Sequence, residues 1–203
     1  MMSNKIIIEG FWNLGKTTLI NKLHESYGYQ IINEPDHLLL DILDQDRVDI
    51  WYQNEYSLIA NIFLSSVKEK IVCERSLLDS GAFMYARDGV IPLPLKNKIF
   101  TFTNELIKNN GLVVFLFSSR DFILKQNSIN NKNNVVVTLL KSERFINLYD
   151  DFFRKILPKE FKIIPLCIDV SNNNNFLPIN EIFRKIELHK KHETIHLIGE
   201  SHV

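Results

Sequence analysis

The chain has 203 residues, 45% of them hydrophobic, with 24 acidic and 24 basic side chains. This length fits one ordinary domain with a continuous core, so we expect a single domain over residues 1–203. The zero net charge excludes a general attraction to nucleic acid polymers or anionic lipid. The sequence shows no signal-like start and no membrane-length apolar run, which predicts a cytoplasmic protein that does not bind a membrane.

Short apolar runs alternate with segments of helical periodicity along the whole chain. This alternation is typical of an α/β fold in which helices cover a mostly parallel sheet. The predicted strands are Lys5–Glu9, Tyr29–Asn33, Lys70–Glu74, Leu112–Phe117 and Phe161–Val170. The predicted helices are Lys16–Ser26, Asp46–Val67, Ser76–Ala86, Leu95–Asn109, Arg120–Gln126, Val136–Ile156 and Leu177–Lys190.

Two polar segments interrupt or end this pattern. Residues 126–134, QNSINNKNN, have no apolar period, and we expect a mobile loop there. Residues 191–203 contain three of the six histidines in spacings that match no familiar set of metal ligands, so we expect a solvated tail. Cys73 and Cys167 lie in apolar runs without zinc or redox spacing, and we interpret both as core thiols.

A phosphate-binding motif follows the first predicted strand. Residues 10–17, GFWNLGKT, match the pattern GxxxxGK[ST] between an apolar strand and a helix. In this pattern backbone amides and the helix N-terminus hold phosphate oxygens, Lys16 reaches the β- and γ-phosphates, and the Thr17 hydroxyl is placed to bind Mg²⁺. The residues expected to bind the donor nucleotide are Gly10, Asn13, Leu14, Gly15, Lys16, Thr17 and Thr18.

The segment IVCERS narrows the class of phosphate-binding protein. The chain lacks the DxxG and NKxD motifs of GTPases, and no apolar strand ends in the DE pair of motor-type ATPases. Instead, Glu74 and Arg75 come at the carboxyl end of a buried strand, where α/β proteins bind ligands. An acidic group for a metal and a basic group for phosphate are therefore expected together. The alternative is that Glu74 and Arg75 form an ion pair on the surface without a role in binding.

Three segments in this order resemble the deoxynucleoside kinase and thymidylate kinase family of P-loop kinases. They are IIIEGFWNLGKTTLINKL, NEPD at residues 33–36, and CERSLLDSGAFMYA from Cys73. The resemblance implies ATP and Mg²⁺ as cofactors, Glu34 as general base or orienting group, and Glu74 acting through the metal. It implies that Arg75 binds the transferring phosphoryl group or an acceptor phosphate. Glu34 could instead be an exposed carboxylate at a strand end.

The resemblance also implies an acceptor pocket formed by an aromatic helix. At least one of Trp51, Tyr52 and Tyr56 would stack on the acceptor base, Gln53 would bind its edge, and Phe83 would line the pocket. Aromatic residues at helical spacing nevertheless often belong to the core. Ser80 and Gly81 replace the Asp-Arg pair that is common in nucleoside kinases, and Phe11 and Trp12 are bulky for this loop. These departures leave the acceptor open.

A closing lid is expected at the polar segment 126–134. It contains no arginine, so Lys125 and Lys132, or Arg144 from the next helix, would supply positive charge over the phosphates. The sequence therefore predicts an ATP-dependent kinase of a nucleoside or nucleoside monophosphate, with a small-molecule acceptor. The alternatives are a P-loop kinase of another metabolite and a nucleotide-binding regulatory module without turnover. Family members are often homodimers, which leaves dimerisation open.

Overall fold

The computed structural model describes residues 3–35, 45–66, 70–130, 134–173 and 175–199. Five strands form its main sheet in the order β2-β3-β1-β4-β5, and every neighbouring pair is parallel. The five strands are β1 Lys5–Gly10, β2 Gln30–Ile32, β3 Ile71–Glu74, β4 Leu112–Phe117 and β5 Leu166–Asp169. This sheet, covered by helices, confirms the predicted α/β class and three-layer architecture.

Helices connect these strands and cover the sheet. Those before β4 are α1 Lys16–Tyr27, α2 Gln45–Ser65, α3 Leu77–Asp88 and α4 Leu93–Lys108. Those between β4 and β5 are α5 Arg120–Asn130, α6 Asn134–Lys141, α7 Glu143–Asp151 and α8 Leu157–Phe161, with a π-helical turn at Phe152–Ile156 joining the last two. A hairpin of two-residue strands follows, formed by β6 Ser171–Asn172 and β7 Asn175–Phe176. The last helix is α9 Ile179–Gly199.

The central strands are buried on both faces. Every residue of β1 is buried, and so are all four residues of β3. A continuous apolar run such as Ile6-Ile7-Ile8 therefore fits a strand covered by helices on both faces better than a strand with one solvent-exposed face. Because all five strands point the same way, the loops after β1, β2 and β3 meet at one edge of the sheet. The predicted phosphate loop, residues 33–35 of NEPD, and CERS all lie at that edge.

Two predicted elements differ from the structure in the second half of the chain. The single helix predicted at Val136–Ile156 is divided, with Ser142 capping α7 through its side chain. The strand predicted at Phe161–Val170 is only four residues long, because Phe161 ends α8 and Lys162 has φ 61°. Pro165 also has no backbone N–H to donate to a neighbouring strand, so the apolar run before Leu166 does not form part of the strand.

The expected loop at 126–134 is helical at both described ends, because α5 continues through Asn130 and α6 begins at Asn134. Residues 131–133, including Lys132, lie outside the described residues. The C-terminal segment also differs from a plain tail, since α9 continues through Gly199. Cys73 is a buried free thiol, as predicted, and Cys167 is a free thiol that is only half-buried. Within the described part of the chain, no helix has the length and apolar character needed to cross a bilayer.

Candidate active site

The loop between β1 and α1 has the backbone path that its glycines allow. Gly10 has φ 143°, and a β-carbon there would lie 2.4 Å from the carbonyl oxygen of Leu116 on the neighbouring strand. Gly15 has φ 82° and occupies the N-cap position of α1. A left-handed conformation and close strand contact both favour glycine, so the pattern GxxxxGK[ST] reflects a geometric requirement at these two positions. The amides at the start of α1 consequently face the open edge of the sheet.

Lys16 folds back over this loop. Its Nζ donates a hydrogen bond to the carbonyl oxygen of Phe11 at 2.9 Å, and the residue is only 5% exposed. Burial, together with the nearby charge of Arg75, lowers the pKa of Lys16 to about 8. The ammonium therefore loses its proton at a lower pH than an exposed lysine does, and a phosphate group beside it would favour its charged form.

Thr17 and Glu74 meet where a divalent cation would bind. The Thr17 hydroxyl lies 2.9 Å and 3.2 Å from the two carboxylate oxygens of Glu74. A hydroxyl and a carboxylate suit Mg²⁺, which usually takes its remaining ligands from water and phosphate oxygens. The described residues contain no cluster of three or more His, Cys, Asp or Glu side chains around a metal position. A site of this open kind fits a metal carried by a nucleotide.

Arg75 is held between two carboxylates at the start of α3. Its Nε lies 2.8 Å from Oε2 of Glu34, and one terminal nitrogen lies 2.5 Å from Oδ1 of Asp79. The Nε–H does not point at a hydrogen-bond acceptor, so the contact with Glu34 is an ion pair. Burial alone would lower the pKa of Arg75, but Asp79 and Glu34 outweigh it and hold that pKa above its ordinary value. The guanidinium is thus a fixed positive charge in the floor of the site.

The two bulky residues of the phosphate loop pack around this arginine. The indole of Trp12 lies over the guanidinium of Arg75, with 5.0 Å from Cζ to the ring centroid. The ring of Phe11 is buried with its centroid 4.5 Å from that of Tyr149. The Tyr149 hydroxyl in turn donates to Asp79. Phe11 and Trp12 therefore join the phosphate loop to α7 and to Arg75.

A further buried carboxyl lies beneath the loop. Glu9 is fully buried, and Ser76 donates a hydrogen bond to its Oε1 at 2.6 Å, while its Oε2 has no hydrogen-bond partner. Burial, reinforced by Asp79, raises the pKa of Glu9 well above its ordinary range. Glu9 at the end of β1 is thereby joined to Ser76, the N-cap residue of α3, beneath the phosphate loop.

Several of these side chains line an open cavity of about 340 Å³. Its lining residues come from the phosphate loop, the ends of β2 and β3, and the hairpin after β5: Trp12, Asn13, Gly15, Lys16, Thr17, Thr18, Glu34, Glu74, Arg75 and Phe176. The structure therefore brings together the predicted donor, metal and catalytic residues in a single cavity. Gly10 and Leu14 shape the loop from outside this lining, and Leu14 is buried in the core.

The predicted acceptor-binding residues do not line this cavity. Trp51 is half-buried with its ring edge against Tyr52, at a centroid distance of 5.2 Å, and Gln53 is half-buried one position after Tyr52. Phe83 packs edge-on against Phe145 at 5.7 Å. These side chains belong to α2 and α3, and their contact with an acceptor stays a prediction.

The two predicted lid cations that the structure describes, Lys125 and Arg144, do not line the cavity. Lys125 is exposed on α5 and does not line the cavity. A terminal nitrogen of Arg144 lies 3.5 Å from the position a β-carbon on Gly89 would take, at the far end of α3 from Arg75. Their role in closing over phosphates stays a prediction.

Asn127 is the contact between this region and the phosphate loop. It is 1% exposed, its amide nitrogen donates to the carbonyl oxygen of Trp12 at 3.1 Å, and its Oδ1 accepts from Asn13 at 3.0 Å. The same amide nitrogen lies 2.9 Å from the carbonyl oxygen of Ile123 on its own helix. Asn13 has φ 58°, a conformation that asparagine tolerates and that this contact supports. The first helix of the predicted lid is thereby tied to the loop.

Sequence patterns missed four residues of this site. Asp79 could have been found, because it lies one helical turn after Arg75 at the start of α3. Tyr149 and Phe176 are distant in sequence from the residues they approach, and no local motif marks them. Asn127 was hidden in an asparagine-rich segment whose composition indicates a loop.

Comparison with known proteins gives structural matches only. No family model matches the chain, and no curated protein matches it significantly. Among solved structures, deoxyadenosine kinase from M. mycoides with bound dATP is similar at a TM-score of 0.59 and 19% identity, over 92% of this chain and 100% of that one. The YorR protein from Bacillus subtilis, in complex with phosphorylated GDP, matches at 0.59 and 14% identity, over 94% and 98%.

A gluconokinase from Sinorhizobium meliloti is similar as well, at a TM-score of 0.55 and 16% identity, over 98% of this chain and 97% of that one. Identities this low show a common fold and leave the reaction to be argued from the site. The matches nevertheless extend over nearly the whole of each chain, and the kinases among them agree with the resemblance inferred from the three sequence segments. The chain therefore has the fold of the P-loop kinases, a group that includes the deoxynucleoside kinases.

Proposed function

We propose that this protein is a kinase that transfers the γ-phosphoryl group of ATP to a nucleoside or a nucleoside monophosphate. One observation carries the proposal: Lys16, Thr17 and Glu74 share one cavity with Glu34 and Arg75. Phosphoryl transfer requires mainly positioning and charge stabilisation, and such a cavity offers both beside an acidic group for the acceptor.

The donor half consists of the phosphate loop and the start of α1. Backbone amides from Asn13 to Thr18 hold phosphate oxygens, and Lys16 neutralises charge on the β- and γ-phosphates. Thr17 and Glu74 would hold Mg²⁺, which neutralises charge on the phosphates when bound. Phe176 lies at the loop, with its ring edge 4.0 Å from the position of a β-carbon on Gly15. ATP and Mg²⁺ are thus parts of this proposal.

The acceptor half consists of the ends of β2 and β3. Glu34 accepts the proton of the acceptor hydroxyl or orients that oxygen, and its side chain is 32% exposed to the cavity that Arg75 closes from below. In the monophosphate case, Arg75 would contact the acceptor phosphate. Trp51, Gln53 and Phe83 are the proposed residues for acceptor recognition.

Closure of the predicted lid completes the site. Movement of the segment around residues 126–134 would bring Lys125, Lys132 or Arg144 nearer to the phosphates. Closure excludes water and so favours transfer to the acceptor over hydrolysis.

We also propose that the protein is cytoplasmic, that its partners are small molecules, and that it binds neither membranes nor nucleic acids. We further propose that the protein forms a homodimer, because α2 and α4 expose large apolar side chains. These are Ile50, Leu58 and Ile62 on α2 and Leu93, Phe100 and Ile107 on α4. Exposed apolar residues clustered on neighbouring helices commonly mark a protein interface.

A second candidate keeps the fold and changes the acceptor to another hydroxylated metabolite. The similarity to a gluconokinase, which has a sugar acid as its named substrate class, favours this candidate. A regulatory module that binds nucleotide without turnover uses the same donor half, and the absence of arginine from residues 126–134 favours it.

An ATP-consumption assay over nucleosides, nucleoside monophosphates and sugar acids separates these candidates. We expect turnover with one acceptor class, loss of that turnover in Lys16→Ala and Glu34→Gln, and little change in the control Glu25→Gln, whose carboxylate is exposed on α1. Turnover with a sugar acid alone would favour the second candidate. Binding of MgATP without consumption on any acceptor would contradict the kinase proposal.

A further inference from the structure

One side chain of α5 holds the phosphate loop from outside. The Asn127 amide nitrogen donates to the carbonyl oxygen of Trp12 at 3.1 Å, and the Asn127 Oδ1 accepts from the Asn13 amide at 3.0 Å. Both loop residues line the cavity, and 114 positions of the chain separate Asn13 from Asn127. Two adjacent residues of the donor site are therefore held by one residue of a distant helix.

These hydrogen bonds act on a part of the loop whose backbone needs support. Asn13 has φ 58°, a left-handed conformation that most side chains avoid. It lies between Gly10 and Gly15, and glycine backbones have many other conformations available to them. Such a loop loses much conformational freedom when it is ordered around a ligand. Hydrogen bonds that order it beforehand reduce that cost of binding.

Packing alone does not explain a buried asparagine at this position of α5. The helix is already anchored by Phe122 and Ile123, which are 3% and 0% exposed. A buried amide gives up its hydrogen bonds to water, and an apolar side chain would avoid that cost if the position served only the core. Asn127 recovers two of its hydrogen bonds from the phosphate loop and one from the carbonyl oxygen of Ile123. Its polar groups therefore serve mainly the loop.

A second contact joins α5 to the same cavity. The ring of Phe122 packs edge-on against that of Phe176, with 5.1 Å between the centroids and 82° between the planes. Phe176 lines the cavity, and its ring edge lies near Gly15 at the start of α1. The helix thus contacts the lining of the donor site at two separate places, through Phe122 and through Asn127.

We infer that Asn127 is a positioning residue of the donor site, which holds the phosphate loop in its phosphate-binding path before the nucleotide arrives. A nucleotide that binds this path must in turn stabilise the docking of α5, because coupling between two events is reciprocal. The inference rests on the nucleotide-binding half of the proposed function. It does not depend on transfer to an acceptor, so the two can fail separately.

The first test measures the affinity of the full chain for a non-hydrolysable ATP analogue with Mg²⁺, by titration calorimetry. We expect Asn127→Ala to raise Kd at least about tenfold, because the loop must then be ordered by the nucleotide itself. The matched control is Ser128→Ala on the same helix, which removes an exposed hydroxyl that donates to the carbonyl oxygen of Lys125. That control should leave Kd unchanged.

Asn127→Leu separates positioning from packing. Leucine has the same branched skeleton as asparagine and is suited to a buried position, but it offers no hydrogen bond to the loop. We expect the same rise in Kd as for Asn127→Ala, together with a smaller loss of stability in denaturant unfolding. A Kd for Asn127→Leu equal to that of the unaltered protein would overturn the inference, because the residue would then serve packing alone.

Reciprocity gives a test that needs no variant. Hydrogen exchange of the backbone amides in residues 120–128 is compared with and without the bound Mg²⁺–ATP analogue. We expect binding to slow this exchange at least about tenfold in the unaltered protein, and to slow it much less in Asn127→Ala saturated with the analogue. Unchanged exchange in the unaltered protein with the analogue bound would overturn the inference.

The outcomes separate this inference from the kinase proposal. Coupled binding without transfer to any acceptor would support the inference and contradict the kinase proposal. Transfer with an unchanged Kd in both Asn127 variants would overturn the inference and leave the kinase proposal intact. No binding of the analogue by the unaltered protein would overturn both. If neither variant folds, the exchange measurement on the unaltered protein decides the inference.

Discussion

The protonation of Lys16 should control the affinity for ATP above neutral pH. Burial and Arg75 lower the pKa of Lys16 to about 8 in the free protein, from an ordinary value of 10.5. Phosphate oxygens around the ammonium favour its charged form, so the bound protein keeps the proton. Binding above pH 8 must therefore take up one proton, and the affinity must fall as the pH rises.

The size of this effect follows from the fraction of protonated Lys16. That fraction falls from about nine-tenths at pH 7 to about one-tenth at pH 9, so Kd should rise about tenfold, which corresponds to about 1.4 kcal/mol. Titration calorimetry with Mg²⁺ and a non-hydrolysable ATP analogue, in two buffers of different ionisation enthalpy, measures both Kd and proton uptake. Uptake should approach one proton per site at pH 9.

Lys16→Arg is the matched control, because a guanidinium stays charged throughout this range. Its affinity should be nearly constant between pH 7 and pH 9, whatever its absolute value. A constant Kd in the unaltered protein, or the same slope in both proteins, would refute the reasoning.

The same shift also affects the stability of the free protein. A lysine whose pKa is lower in the folded protein than in the unfolded chain destabilises the fold wherever it must stay charged, below pH 8. That cost is relieved as the pH rises from 8 towards 10.5. The stability advantage of Lys16→Met, measured by denaturant unfolding without nucleotide, should therefore be largest below pH 8 and should shrink above it. An advantage that grows with pH would contradict this sign.

Three further changes should have distinct effects. Gly10→Ala places a β-carbon 2.4 Å from the carbonyl oxygen of Leu116, so we expect at least about 2 kcal/mol lost in denaturant unfolding and weaker ATP binding; full stability would contradict this. Asn127→Ala leaves Asn13 and a loop carbonyl without partners, and unfolding should show about 1–3 kcal/mol of lost stability together with weaker binding of an ATP analogue. Glu74→Gln should raise the Mg²⁺ concentration for half-maximal turnover at least about tenfold, and an unchanged Mg²⁺ requirement would exclude Glu74 from the metal site.

The fold could be predicted from sequence because its signals are local. Runs such as Ile6-Ile7-Ile8 indicate a doubly covered strand, and β3 likewise ends at Glu74 as predicted. The phosphate loop was equally readable, since Gly10 and Gly15 have conformations that disfavour a side chain. The order of strands and loops then places the predicted donor and catalytic residues at one edge of the sheet.

The remaining features depend on contacts between distant segments. Asn127 lies in α5 and its amide has partners in the phosphate loop, which the composition of 126–134 does not reveal. Tyr149 reaches Asp79 across 70 positions of the chain. The aromatic character of α2 suggested an acceptor pocket, yet the ring of Trp51 lies against Tyr52 and outside the cavity. Side-chain contacts of this kind leave no periodic pattern in the sequence from which they could be predicted.

The central claim is that the cavity at Lys16 and Glu34 transfers a phosphoryl group. The most direct measurement follows γ-³²P-labelled ATP in the presence of Mg²⁺ and a panel of nucleosides and nucleoside monophosphates, with separation of labelled acceptor from inorganic phosphate. We predict that the label appears in the phosphorylated form of one acceptor and that Glu34→Gln abolishes this product. Label found only in ATP or in inorganic phosphate, whatever the acceptor, would contradict the account.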